Sequence, residues 1–387
     1  MDSFVKIYTD CHVYDTDTGA FIDASVVVEG ERIADVIKAG DALPEGEVIS
    51  LGGKYVIPGL VDVHSHGRGG FDFNTASSAD YGKIALSYAK AGTTAVMPTL
   101  ASAPLDSLEK SVKDIAEYEN VPGSAAFAGV HLEGRYLSMP KRGAHPENLL
   151  SAPSCDEIKR FRELAGDARM RLSIAPEIDG SDEMIHTALE LGVTVSAAHT
   201  DANYEQLIHA VDEGVTGFTH TFNCMRPIHH RDPGGAGASL LCDRAYSEFI
   251  CDGMHIAPEM ILLSYKVKAP DKFVLITDSM EAAGCPDGEY SIAGLPVFVK
   301  DGKAVNIEGA LAGSTLDMFT GLVNYMKFCS LSLEEAIPMA TVNPARMIGA
   351  DDEFGSISAG KRADFIIIKD RFNPAIDTVI AGGEKVK

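Results

Sequence analysis

Basic residues are scarce in this chain: 33 Lys and Arg stand against 56 Asp and Glu, a formal net charge of −23 over 387 residues. That balance speaks against nucleic acid and against an anionic membrane as partners. An anionic ligand would need a cationic pocket set locally against the global field. Long apolar runs are missing too. No stretch reaches about 18 residues, so no transmembrane helix is expected. Residues 1–6 show no basic segment leading into an apolar one, so no signal peptide is expected. The seven cysteines include no Cys-x-x-Cys and follow no regular spacing. Reduced thiols in a cytoplasm fit that pattern better than a disulfide framework. No sequence repeat of fixed period and no low-complexity tract occurs.

With 45% hydrophobic and 23% charged residues, the chain reads as globular, and its length suits one large domain with a smaller companion. Both ends are β-rich. Short β runs near the N-terminus are punctuated by Glu29-Gly30 and Gly52-Gly53, and the style resumes from Gly355 onward. One small β-sandwich domain built from both termini, residues 1–56 and 356–387, is predicted. The middle, 57–355, alternates. Strand-like runs at 56–63, 93–97, 126–132, 170–175, 193–198, 215–219, 247–251 and 273–277 are separated mostly by amphipathic helical stretches. This fits a (β/α)₈ TIM-like barrel, for which about 250 residues is typical. A doubly wound open sheet is the structural alternative, weakened because no Gly-x-Gly-x-x-Gly follows an early strand. A β insertion is predicted at about 285–308, around the tight turn Asp301-Gly302.

The stretch Val61-Asp62-Val63-His64-Ser65-His66-Gly67 closes the first run. Residues i and i+2 of a strand share a face, so His64 and His66 project together, a plausible metal seat or simply a hydrogen-bonded pair at a strand end. Catalytic groups of a barrel sit at the C-terminal ends of its strands. Those ends supply Glu133, His199, His220, the segment Cys251-Asp252-Gly253-Met254-His255, and Asp278. Each alone has a bland reading, since a polar residue closing a strand often caps the next helix. Together, four histidines and two carboxylates on one rim suit zinc or another divalent first-row metal.

This set, in this order, resembles the amidohydrolase superfamily of metal-dependent barrel hydrolases. Its first-strand signature is similar to Ile57-Pro58-Gly59-Leu60-Val61-Asp62-Val63-His64-Ser65-His66-Gly67. Within it, the chain resembles the N-acetylglucosamine-6-phosphate deacetylase family. The matching segments include His131-Leu132-Glu133-Gly134, Lys141-Arg142-Gly143-Ala144-His145, Ala198-His199-Thr200, His220-Thr221-Phe222-Asn223-Cys224-Met225, Asp252-Gly253-Met254-His255 and Leu311-Ala312-Gly313-Ser314. The resemblance implies that Glu133, His199 and His220 hold the main metal. His64 and His66 would complete a second site bridged by Glu133, with Asp278 nearby. One or two divalent ions per subunit follow, zinc first, with iron, manganese or cobalt as alternatives. Asp278 would be the proton-transferring base, and His145 the group that polarises the acetyl carbonyl. Arg231 and His255, with main-chain amides at Asn223 and Cys224, would bind phosphate. Leu311, Ala312 and Gly313 would line the sugar, with Ala144 beside His145. Arg231 would reach the neighbouring site of a homodimer. Cys224 departs from the alanine common in the family.

The implied reaction is deacetylation of N-acetyl-D-glucosamine 6-phosphate in amino-sugar catabolism, in a cytoplasmic enzyme acting on a small phosphorylated amino sugar. The epimeric N-acetylgalactosamine 6-phosphate is the close alternative. A cyclic-amide hydrolase is more distant, because such relatives place a carboxylated lysine on the fourth strand, which here ends in Ala175-Pro176-Glu177. A non-catalytic scaffold should have lost ligands, and all six remain.

Overall fold

The apolar run that begins at Tyr55 serves two sheets. In the computed structural model, which describes residues 5–387, residues 55–58 end the strand Glu47–Pro58 and pair with Phe365–Ile368 near the C-terminus. The chain crosses Gly59 and enters the barrel as Leu60–Ser65. The sequence pattern predicts one strand over 56–63, and packing breaks it: a Cβ at position 59 would lie 2.0 Å from Thr94 Oγ1. Residues 1–4, where the predicted small domain begins and part of the signal-peptide reading falls, lie outside the described residues.

Seven strands form the sheet of the two ends, in the order Glu384–Lys385, Ile376–Ala381, Phe365–Ile368, Glu47–Pro58, Val5–Asp15, Ala20–Glu29 and Arg32–Lys38. Its last strand bonds back toward the other side. Ile33 N–H donates to Lys361 O (2.9 Å) and Ala363 N–H to Glu31 O (2.8 Å). What reads as a sandwich is therefore one continuous sheet wrapped on a core of its own that includes Tyr8, Val26, Ile33, Phe365 and Ile380.

The barrel strands are β1 (Leu60–Ser65), β2 (Thr93–Ala101), β3 (Val130–Glu133), β4 (Met170–Ile174), β5 (Thr194–Ala197), β6 (Gly217–Phe218), β7 (Tyr246–Ile250) and β8 (Phe273–Ile276), parallel and hydrogen-bonded in chain order. Sequential order excludes the doubly wound alternative. The ring is tied just beyond β8, where Ser65 bridges Ser279 in parallel and Asp278 N–H donates to His64 O at 2.9 Å.

The helices that alternate with or follow these strands include α1 (Tyr81–Lys90), α2 (Leu105–Ala116), α3 (Cys155–Ala165), α4 (Ser181–Glu190), α5 (Tyr204–Asp212), α6 (Gly234–Leu241), α7 (Pro258–Val267) and α8 (Met318–Cys329). Their sequences explain them. Leu108, Val112 and Ile115 form the buried stripe of α2, and burying each such side chain stabilises by roughly 1.5–3 kcal/mol. Ser154 caps α3, and Asn203 with Gln206 forms a capping box on α5, satisfying amides that have no partner inside the helix. Helix α6 is not predicted from its sequence, GGAGASLL, because glycine costs about 1 kcal/mol relative to alanine in a helix. Burial compensates. The ammonium of Lys268, 2% exposed, donates to the carbonyls of Ser239, Cys242 and Ala245 at 2.8, 2.6 and 2.7 Å around the helix end.

After β8 comes a three-stranded antiparallel insertion, Gly288–Ile292, Leu295–Lys300 and Lys303–Asn306. Asp72 Oδ2 accepts from Ala293 N–H (2.8 Å) and Glu281 from Ser291 Oγ (3.0 Å). These two carboxylates hold the insertion's first turn against the barrel rim.

Candidate metal centre and its cavity

Strand ends deliver the polar residues to one point. His64 lies within β1, His66 just beyond it, and Glu133 closes β3, while His199, His220 and Asp278 come directly after β5, β6 and β8. The last three have left-handed backbones, with φ of 43°, 30° and 50°. That conformation costs a non-glycine residue roughly 1–2 kcal/mol. It turns each strand end sharply, and local bonds hold it: His199 O accepts from Ser138 N–H (3.0 Å), and Asp278 O from Ser314 N–H (2.7 Å).

Glu133 is the hub. Its Oε1 lies 2.9 Å from His220 Nε2 and 3.4 Å from both His199 Nε2 and His64 Nε2. Its Oε2 lies 3.0 Å from His66 Nε2 and 3.8 Å from His145 Nε2. Asp278 Oδ1 is 3.3 Å from His66 Nε2 and 3.6 Å from His64 Nε2. His64, His66 and Glu133 form one set of donor atoms within 4.8 Å of one another, and Glu133, His145 and His199 form another.

This donor set fits a divalent cation. The Nε2 atoms of His199 and His220 are only 3.1 Å apart, and His199 donates its Nδ1–H to Lys141 O at 2.8 Å. Its Nε2 is therefore a lone pair when the ring is neutral. His64 Nε2 is buried without a hydrogen-bond partner among the described residues. Electrostatics agree. Burial pushes the Glu133 carboxyl up, but His64 and hydrogen bonds from His199 and His220 outweigh it and hold it well below its ordinary range. Asp278 likewise falls to about 2, burial being outweighed by His64 and His66. Burial lowers His66, but its bonds to Asp278 and Glu133 raise it to about 9. The two carboxylates demand positive charge, and a cation displaces imidazole protons from such a site.

His145 differs. Burial, then the neighbouring His199, pushes it down to about 3. Its Nδ1 lies 3.3 Å from Ser102 N–H and 2.9 Å from Ser102 Oγ; with Nδ1 accepting from the amide, Nε2 carries the hydrogen. A neutral N–H donor thus faces the cluster.

A cavity of about 270 Å³ opens above the cluster. Glu133, His66, His199, His220 and Asp278 lie along its base side, and His64 lies buried beneath. Ala144, His145, Asn223, Cys224, His255 and the segment Leu311-Ala312-Gly313 also line the cavity. Burial lowers His255, but Asp252 at 2.6 Å from its Nδ1 raises it above its ordinary value, which favours a cation there. Asn223 N–H is already donated to His220 O (3.0 Å), whereas the Cys224 N–H has no acceptor among the described residues. Gly143 must be glycine: its φ is +58°, and a Cβ there would sit 2.7 Å from Cys224 Sγ and 3.2 Å from His199. Arg231 does not line this cavity. It is exposed on the loop before α6, with Nη1 2.7 Å from His230 Nε2.

The structure adds residues that sequence reasoning missed. Ser102, just past β2, and Ile292, Ala293 and Leu295 of the insertion line the cavity. Beneath the cluster, Arg171 of β4 is ion-paired with Glu248 of β7, both essentially buried. Charged residues inside otherwise apolar strands were the available signal.

The amidohydrolase family model matches residues 55–386. The chain is 32% identical to an N-acetylglucosamine-6-phosphate deacetylase of Vibrio furnissii, over 91% of this chain and 88% of that one. It is 35% identical to an N-acetylgalactosamine-6-phosphate deacetylase of Escherichia coli O157:H7, over 87% and 89%. Among solved structures, it superposes with a TM-score of 0.89 and 31% identity, over 100% of both chains, on an aspartate-to-alanine mutant of the N-acetyl-D-glucosamine-6-phosphate deacetylase from Mycobacterium smegmatis in complex with N-acetyl-D-glucosamine-6-phosphate.

Proposed function

The chain belongs to the amidohydrolase family, and on that basis we propose that it hydrolyses the acetamide of N-acetyl-D-glucosamine 6-phosphate, giving D-glucosamine 6-phosphate and acetate. The observation that carries this is the convergence of Glu133, His199, His220, His66 and Asp278 at one cavity, with His64 buried against them. A second reading, the galactosamine epimer, draws on the 35% identity to the enzyme named for that sugar.

Glu133, His199 and His220 would hold the main cation, with His64 and His66 at a second position. Zinc suits imidazole and carboxylate donors, and iron, manganese or cobalt share that chemistry. When bound, such an ion supplies Lewis acidity and water acidified toward pKa ~7. The protein's own groups do the rest. Asp278 takes the proton of the attacking water and passes it to the sugar nitrogen as the C–N bond breaks, because an unprotonated amine leaves poorly. His145 donates its Nε2–H to the carbonyl oxygen as that oxygen gains charge.

His255 and the Cys224 N–H are set for the phosphate end. Arg231, exposed and away from this chain's own cavity, would act as Arg231 of the partner subunit in a homodimer, where a planar guanidinium suits phosphate oxygens. Leu311, Ala312, Gly313 and Ala144 would pack on the sugar. All seven cysteines are free, and among the described residues no helix is long and apolar enough to cross a membrane. Free thiols suit a reducing cytoplasm. Acetate release from the phosphorylated sugar by metal-loaded protein tests the whole reading. No release would refute it.

A further inference from the structure

We propose that Glu248 is a positioning residue that makes the His64 side of the cluster a second cation position. The inference rests on the metal-dependent reading above and goes beyond it. Glu248 lies in the middle of β7 and is fully buried, and no step of the proposed reaction uses it. Its Oε2 sits 3.1 Å from His64 Nδ1 and accepts the His220 main-chain N–H at 3.0 Å. Its other oxygen meets Arg171, whose Nη2 is anchored on Ser196 Oγ at 2.6 Å.

An ionised carboxylate only accepts. His64 therefore carries a hydrogen on Nδ1, and when the ring is neutral its Nε2 is a lone pair. That atom is buried without a hydrogen-bond partner among the described residues and faces Glu133 Oε1 at 3.4 Å and Asp278 Oδ1 at 3.6 Å. Two carboxylate oxygens facing that atom call for positive charge between them, which a ring proton or a bound cation supplies. Outer partners of this kind fix the ring orientation and raise the basicity of ligating histidines.

The same division recurs within the cluster. His199 is oriented by Lys141 O at 2.8 Å. His66 Nδ1 and His220 Nδ1 have no hydrogen-bond partner among the described residues. Each half of the cluster thus has one imidazole fixed from outside, His199 for the main position and His64 for the second. Because Glu248 Oε2 also holds the His220 main chain, it sets the spacing between the two halves.

The test is ions bound per chain, by elemental analysis and zinc titration of the full chain and its variants. Two zinc ions are expected for the parent chain. For Glu248→Ala, one ion is expected, with the far-UV spectrum of the parent and a lowered melting temperature, because Arg171 is left buried without its partner. His64→Asn should also bind one, and the double variant should bind no fewer. If Glu248→Ala does not fold, Glu248→Gln replaces it, with the second ion expected to bind about 10–100-fold more weakly. Two ions at unchanged affinity in a folded variant would overturn the proposal. So would a parent chain that takes up one ion, or parallel loss of both ions from a folded variant. A parent chain that binds no ion would instead remove the metal-dependent reading itself.

Discussion

The main-chain N–H of Asp278 donates to the carbonyl oxygen of His64 at 2.9 Å, across the seam where the barrel closes. The carboxylate after the last strand is therefore fixed against the histidine of the first, and its Oδ1 comes within 3.3 Å of His66 Nε2. Replacing Asp278 by the isosteric asparagine keeps that seam and removes the proton acceptor. kcat is expected to fall about 10²–10⁴-fold, the usual contribution of a positioned base, with metal content unchanged. Near-parental turnover would take Asp278 out of the base role.

His145 acts as a neutral donor in this account, with Nδ1 facing Ser102 N–H. Loss of one donor to a developing oxyanion costs about 10²–10³ in kcat. His145→Ala should show that loss with a KM close to the parent's. A variant changed only in KM would make His145 a binding residue.

Arg231 is exposed and outside its own chain's cavity. Charge-assisted hydrogen bonds contribute about 1.5–3 kcal/mol, so Arg231→Ala should raise KM for the 6-phosphorylated sugar by about tenfold or more. Activity on the unphosphorylated sugar should not change. An unaltered KM would contradict phosphate contact.

Gly59 joins the two sheets where a Cβ would meet Thr94 Oγ1 at 2.0 Å. Overpacking of this kind typically costs about 1–3 kcal/mol. Gly59→Ala should therefore lower the melting temperature by several degrees. A melt that overlays the parent's would show that the junction has room.

Much of this was legible in the residues. The barrel followed from alternation of short apolar runs and amphipathic stretches, because helical period marks the stretches while shortness and β-branched content mark the runs as buried strands. The rim rule then located His64, Glu133, His199, His220 and Asp278 without any coordinates. What escaped had physical reasons. Residues 55–58 and Leu60–Ser65 form one apolar run, and only the packing of Gly59 on Thr94 assigns them to different sheets. Helix α6 is hidden by its glycines and held by Lys268 from 26 residues further on. Arg171 and Glu248 sit in mid-strand rather than at a rim, so a search of strand ends passes over them. The place of Ile292 and Leu295 in the cavity wall depends on tertiary bonds to Asp72 and Glu281, which no local pattern encodes.

Side-by-side kcat/KM values, read as acetate release by the zinc-loaded protein, test the central claim most directly. The substrates are N-acetyl-D-glucosamine 6-phosphate, its galactosamine epimer and the unphosphorylated sugars. The glucosamine 6-phosphate derivative is expected to be the best of them, with chelation abolishing turnover and zinc restoring it. No acetate from either phosphorylated sugar, or a clear preference for the galactosamine epimer, would contradict the account.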